Sequence, residues 1–115
     1  MKYLFILMML NWSIFSQTSQ DYFNQSVEFF NKKEYNHALG SINNAISKSD
    51  LVPEEYYIEK YKILIYLKDI DGCKEVLLKA LETYPESVTI LNEVVEFRIL
   101  LNEFKQSSIH LLHLI

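Results

Sequence analysis

The chain has 115 residues, of which 11 are Lys or Arg and 15 are Asp or Glu, so its formal net charge is −4. Half of the residues are apolar, and only two are Gly and two are Pro. So few Gly and Pro residues argue against a β-sandwich or barrel, which needs many tight turns. So many apolar residues argue against a disordered chain. A single cysteine cannot form an internal disulfide, and the acidic balance gives no footprint for nucleic acid. These features predict one small all-α domain.

Residues 1–16 have the pattern of a secretory signal peptide. Lys2 provides a short positive region, an unbroken apolar run follows it, and Ser16 is a small residue at the expected cleavage point. The apolar run is shorter than a membrane span, which needs about 20 residues. An uncleaved membrane anchor and a first core helix remain as alternatives. We therefore expect an exported chain, periplasmic or secreted, that contacts a membrane only through this segment if it is uncleaved.

The rest of the chain, residues 17–115, divides into segments with helical periodicity. In the segment 35–48, for example, apolar residues recur at the spacing that places side chains on one helix face. Short polar breaks separate the segments, and the last break is expected at Leu101–Glu103. The predicted helices span residues 19–32, 35–48, 54–67, 70–83, 87–101 and 104–114.

The helical segments repeat with a period of 34–35 residues. At a shift of 35, Ala38 falls on Cys73 and Ala45 falls on Ala80, so small residues recur where small ones stood. Small residues at a crossing let two helix axes approach to about 8–10 Å, so these four are predicted to pack the repeats together. A fixed period of this length is typical of stacked helical hairpins. Three units are predicted, at about 19–50, 54–85 and 87–115.

The second helix of each unit carries a resemblance to a known family. The stretches EYNHALGSINNAIS (34–47) and DIDGCKEVLLKALETYP (69–85) resemble the tetratricopeptide repeat, with small residues at its signature positions and the terminal Pro85. The stretch NEFKQSSIHLLHLI (102–115) keeps the Phe of the pattern but has Ser107 at a small signature position. The resemblance implies an antiparallel helix-hairpin array, an α-solenoid of about three helix pairs.

In that family, the first helices of successive units line a groove that binds a peptide or helix of a partner protein. Members that bind a carboxylate use a cation and an Asn where this chain has Phe23 and Val27, so the resemblance implies an apolar or mixed peptide instead. The alternative is that these side chains are simply core between the first helices. Carried over by position, the groove residues are Phe23, Val27, Phe30, Asn31, Ile58, Lys62, Ile65, Tyr66, Asn92, Glu96 and Ile99.

Residues that could carry chemistry form no recognisable set. His110 and His113 are three apart on a predicted helix, but no nearby Cys, Asp or Glu completes a metal site. Glu54 and Glu55 open a predicted helix, where acidic residues favour the positive end of the dipole. Asp69 and Asp71 lack the spacing of a calcium loop, so we expect solvated turn residues. We therefore expect no enzyme, no cofactor and no metal.

The C-terminal residues are more apolar than the end of a helix array usually is. Ile109, Leu112 and Ile115 follow one another at a spacing of three and cannot all join the inward face. We expect this face to meet a partner or a second copy of the chain, or to pack on a continuation of the chain; the alternative is that it stays exposed to water. The function expected is an exported scaffold that binds another protein. The alternative is the front end of a larger exported or membrane-tethered protein, such as a sensor.

Overall fold

The computed structural model describes residues 17–114, including all of their side chains except those of Phe104 and residues 107–114. This part of the chain is all-α and contains no strand, as predicted. The bounds of the first four helices agree with the prediction to within one residue. The expected signal peptide, residues 1–16, lies outside the described residues. In chain order the helices are α1 (Ser19–Asn31), α2 (Tyr35–Ser47), α3 (Glu54–Tyr66), α4 (Ile70–Thr83) and α5 (Val88–Leu114).

The predicted third helix pair does not form, and the prediction of six helices is wrong. α5 is one continuous helix of 27 residues, and it runs through Leu101–Glu103, where a break was expected. No Gly or Pro follows Pro85 in the sequence, so nothing at residues 101–103 interrupts the hydrogen-bond ladder of the helix. The described chain therefore consists of two helical hairpins followed by a single long helix.

The turns inside the two hairpins have the same conformation. Lys33 and Lys68, which are 35 residues apart, have φ values of 63° and 61° and are the non-glycine residues with positive φ in the described chain. The Glu34 N–H donates to the Phe29 carbonyl at 2.9 Å, and the Asp69 N–H makes the equivalent bond to Leu64 at 3.0 Å. These bonds close a Schellman motif at the end of α1 and again at the end of α3.

Side chains cap the starts of three helices: α1, α4 and α5, where the Ile90 N–H donates to the Ser87 hydroxyl at 3.2 Å. The Thr18 hydroxyl accepts from the Asp21 N–H at 3.1 Å, and the Thr18 N–H donates back to the Asp21 carboxylate at 3.0 Å, which completes a capping box for α1. The Asp69 carboxylate accepts from the Gly72 N–H at 3.0 Å and caps α4. Asp69 is an exposed residue in the turn, as expected, and its carboxylate in addition satisfies a free N–H at the helix start.

Two clusters of buried residues form the core, and α3 contributes to both. The first cluster joins α1, α2 and α3 around Ile42 and Ile63, which are fully buried. The second joins α3, α4 and α5 around Cys73 and Ile90, which are also fully buried. Helices that are neighbours in sequence contact each other, and α3 also contacts α1 and α5. The central helix therefore holds the two halves of the described domain together.

Small residues lie where the paired helices cross. Ala38, Ala45 and Cys73 are fully buried, and Ala80 is 1% exposed. The hydroxyl of Ser26 on α1 donates to the carbonyl of Ala38 on α2 at 3.0 Å. In the second hairpin, the thiol of Cys73 faces the carbonyl of Tyr61 at 4.0 Å. Both contacts require a close approach of the two helix backbones, which a larger side chain at these positions would prevent.

Candidate peptide-binding groove

The residues predicted to line a groove lie on α1, α3 and α5. Because α3 contacts both other helices, these side chains lie on adjoining faces of the domain. Several of them also pack against the core clusters, so they contribute to core and surface at once. Phe23, Val27, Phe30, Ile58 and Ile65 are half-buried, whereas Asn31, Lys62, Tyr66, Asn92, Glu96 and Ile99 are exposed.

Aromatic rings connect α1, α2 and α3 along this surface. The Phe30 ring meets the Tyr66 ring edge-on, with centroids 5.2 Å apart, and the Tyr35 ring stacks on Tyr66 at 4.9 Å. Tyr66 is nevertheless 57% exposed, so one side of this aromatic cluster (Phe30, Tyr35 and Tyr66) remains open to solvent. Further along α1, the Phe23 ring stacks on Tyr56 at 4.8 Å. Paired rings at these distances stabilise each other beyond the area that they bury.

Lys62 lies beside the aromatic cluster and carries its charge over a ring. Its ammonium nitrogen is 5.2 Å from the Phe30 ring centroid and 3.7 Å from Oε2 of Glu59. The Glu59 side chain is only 8% exposed, whereas that of Lys62 is 48% exposed. Oε1 of Glu59 is buried and has no hydrogen-bond partner among the described residues. A buried carboxylate with an unpaired oxygen is unfavourable, which makes this position unusual.

A carboxylate on α5, that of Glu93, also interacts with Lys62, and Glu96 lies beside Glu93. Partial burial raises the pKa of Glu93 on α5, the neighbouring Glu96 carboxylate raises it further, and the Lys62 ammonium acts in the opposite direction. Burial also raises the pKa of Tyr61 to about 12, with Glu93 as the next largest cause. The surface between α3 and α5 is therefore acidic: Glu59 and Glu93 both interact with the Lys62 ammonium, and Glu96 lies beside Glu93.

The α5 residues of the predicted groove do not join the aromatic cluster. Ile99 is 54% exposed and lies on the helix face that also carries Val88, Leu91 and Val95, all of them exposed. In the first two units, the position equivalent to Val95 is covered by the second helix of the pair, and its occupants Ser26 and Tyr61 are buried. Because α5 does not turn back, this apolar stripe (Val88, Leu91, Val95 and Ile99) has no such cover in the described chain. Among the expected C-terminal interface residues, the side chains of Ile109 and Leu112 and all of Ile115 lie outside the described residues.

Sequence reasoning missed two residues of this surface. Tyr35 begins the apolar spacing of the segment 35–48 and was not among the predicted groove residues, but its ring stacks on Tyr66. Glu59 was not singled out, although it lies three residues before Lys62 and one helical turn after Tyr56. That spacing places Glu59 on the same helix face as Lys62 and the apolar Tyr56. An acidic residue on such a face was the sequence feature that could have indicated its role.

The described side chains form no other arrangement that carries recognisable chemistry. No three His, Cys, Asp or Glu among them could hold a metal ion together, and the side chains of His110 and His113 lie outside that set. Cys73 is fully buried, and burial raises the pKa of its thiol to about 11. An open cleft of about 500 Å³ lies between α2 and the second hairpin and is lined by residues such as Leu39 and Val76. None of the helices within residues 17–114 combines the length and apolar character needed to cross a membrane.

Comparisons with known proteins give no relative of this chain: no family model, no curated protein and no solved structure matches it.

Proposed function

We propose that this protein is a non-enzymatic, exported scaffold that binds a peptide or helix of a partner protein across the surface of α1 and α3. The observation that carries the proposal is the aromatic cluster, because Tyr66 presents 57% of its surface to solvent while its ring is held by Phe30 and Tyr35. A rigid, exposed aromatic side chain provides a large contact area at a small entropic cost, and such residues carry much of the energy of protein interfaces.

The tetratricopeptide-like reading of the sequence supports the same surface, since Phe30 and Tyr66 occupy positions that line the groove of that family. The ligand expected is a mixed peptide, with apolar side chains against Val27 and Phe30 and polar ones near Lys62. We include export in the proposal because residues 1–16 have the pattern of a signal peptide. It is tested separately by the intact mass of the protein after secretion, which should lack about those residues.

Selection of a random peptide library on the full chain tests the binding proposal. Peptides retained by the unmodified chain should bind Tyr66→Ala about tenfold more weakly, because the exposed ring is lost. The matched control is Leu78→Ala, which removes an equally exposed apolar side chain from α4, away from this surface. Equal loss in both variants, or no loss in Tyr66→Ala, would contradict the proposal.

The apolar stripe of α5 favours a second candidate function. Four exposed apolar residues on one helix face match the surface on which a further helix packs in a repeat array. In this reading, the chain forms the front part of a larger exported or membrane-tethered assembly protein, such as a sensor. Binding of selected peptides to the stripe rather than to the aromatic cluster would favour this second candidate.

A further inference from the structure

The ammonium group of Lys62 occupies a position that resembles a bound ligand. It lies over the face of the Phe30 ring and beside the Glu59 carboxylate, and the exposed ring of Tyr66 adjoins Phe30. An aromatic face and a carboxylate are the two groups that attract an organic cation most strongly in proteins. The cation that is present belongs to the chain itself, on a flexible side chain that is half exposed.

Lys62 satisfies this position poorly. The distance of 3.7 Å to Oε2 of Glu59 is longer than a hydrogen bond, and Oε1 has no donor among the described residues. The Glu59 side chain is 92% buried, so water reaches its carboxylate poorly. A single ammonium has one charge centre and cannot match both oxygens of a carboxylate at once, whereas a planar guanidinium can.

We propose that this position is a binding site for an arginine side chain of the partner peptide. The Lys62 ammonium occupies the site when the peptide is not bound. The incoming guanidinium stacks on the face of Phe30, which Lys62 now covers, with the Tyr66 ring beside it. It pairs with both oxygens of Glu59, while Lys62 turns out into solvent. Glu93 and Glu96, on the neighbouring helix, make the approach favourable for a cation. The inference rests on the proposed function, since it specifies the peptide that the α1–α3 surface binds.

The test is a titration of the full chain with two short peptides, acetyl-Leu-Arg-Leu-amide and its citrulline counterpart, followed by NMR. Citrulline has nearly the shape of arginine without the charge, so the ratio of the two affinities measures the contribution of the positive charge to binding. The arginine peptide should bind about tenfold more tightly, as expected for a charge-assisted pair, with shifts at the amides of Phe30, Lys62 and Tyr66.

Two variants separate this site from a merely structural role. Glu59→Gln should reduce the preference for arginine over citrulline several-fold, because the carboxylate that pairs with the guanidinium is gone. Lys62→Met should raise the affinity for the arginine peptide several-fold, because the competing ammonium is gone. A variant that simply disturbs the fold would weaken both peptides alike, and circular dichroism of each variant checks that it is folded.

The outcomes distinguish this inference from the proposed function. Equal binding of the two peptides at the aromatic cluster would overturn the arginine site and leave the peptide-binding scaffold standing. A preference for arginine that is undiminished in Glu59→Gln would also overturn it. If neither peptide binds, the arginine site is overturned, and the library selection described above decides the proposed function separately.

Discussion

The two glycines of this chain lie in helices but meet different surroundings. Gly40 lies in α2 with open space around the position of a Cβ atom. Gly72 lies in the first turn of α4, where a Cβ atom would approach Oδ2 of Asp69 to 2.5 Å. That carboxylate caps the helix, so an added methyl group would have to displace the cap. The same substitution therefore has different consequences at the two sites.

Replacement of Gly40 by Ala should raise the free energy of unfolding by about 0.5–1 kcal/mol, because alanine loses less backbone entropy in a helix. The increase in the free energy of unfolding should be about 1 kcal/mol smaller for Gly72→Ala than for Gly40→Ala, since the added methyl group disturbs the Asp69 cap. Urea unfolding of both variants measures the difference. Equal gains at the two positions would show that the cap does not contribute to stability.

Two buried acids should make the protein sensitive to alkaline pH. Burial raises the pKa of Tyr61 to about 12 and that of the Cys73 thiol to about 11. A raised pKa means that the folded state favours the neutral form. The contribution of these two groups to the free energy of unfolding is therefore fully present below their pKa in the unfolded chain, and it is lost as the pH rises toward the folded-state values. Urea unfolding at increasing pH should show this loss, and Tyr61→Phe should lose less. A stability that does not change up to about pH 11 would contradict this expectation.

At the scale of helices, the periodicity of the sequence was enough to predict α1 to α4, because each carries an apolar face and ends at a polar turn. It did not predict that α5 continues, since the short polar stretch at Leu101–Glu103 was interpreted as a break between helices. In the hairpins, the break is a left-handed residue, and no sequence feature marks Lys33 or Lys68 for it. The groove positions of Phe30 and Tyr66 were implied by the family resemblance, and the spacing of Glu59 and Lys62 allowed their pairing. The burial of Glu59 could not be predicted, because it depends on how the helices pack.

The close crossing of α3 and α4 should not tolerate a large side chain. Ala80 is 1% exposed and packs in the second core cluster, so Ala80→Leu should lower the free energy of unfolding by about 1–3 kcal/mol. The control is Leu78→Ala on the same helix, which is 63% exposed and should change stability by less than about 0.5 kcal/mol. Thermal and urea unfolding measure both. A similar loss in the two variants would contradict close packing at the crossing.

At the scale of the whole molecule, the described domain has two different exposed surfaces. One is the aromatic cluster, whose rings are held by packing against each other. The other is the apolar stripe of α5, which loses its expected cover because the helix does not turn back. Burial of one large apolar side chain is worth about 1.5–3 kcal/mol, so an uncovered stripe favours association with other surfaces.

We expect the stripe to cause association of the full chain at micromolar concentrations. Light scattering should give a mass above that of one chain, and Val95→Lys should reduce it, because a charge at the centre of the stripe opposes burial. Leu112→Lys tests the neighbouring C-terminal residues in the same way. Leu78→Lys is the matched control on α4 and should leave the mass unchanged. A single-chain mass for the unmodified protein at these concentrations would contradict the expectation.

The location of a bound peptide tests the central claim most directly. A peptide selected on the full chain is added to isotope-labelled protein, and the backbone amides that shift on binding are mapped by NMR. The account predicts shifts clustered on α1 and α3, around Phe30, Lys62 and Tyr66. Shifts confined to α5, around Val88, Val95 and Ile99, would contradict it if the amides on α1 and α3 did not shift.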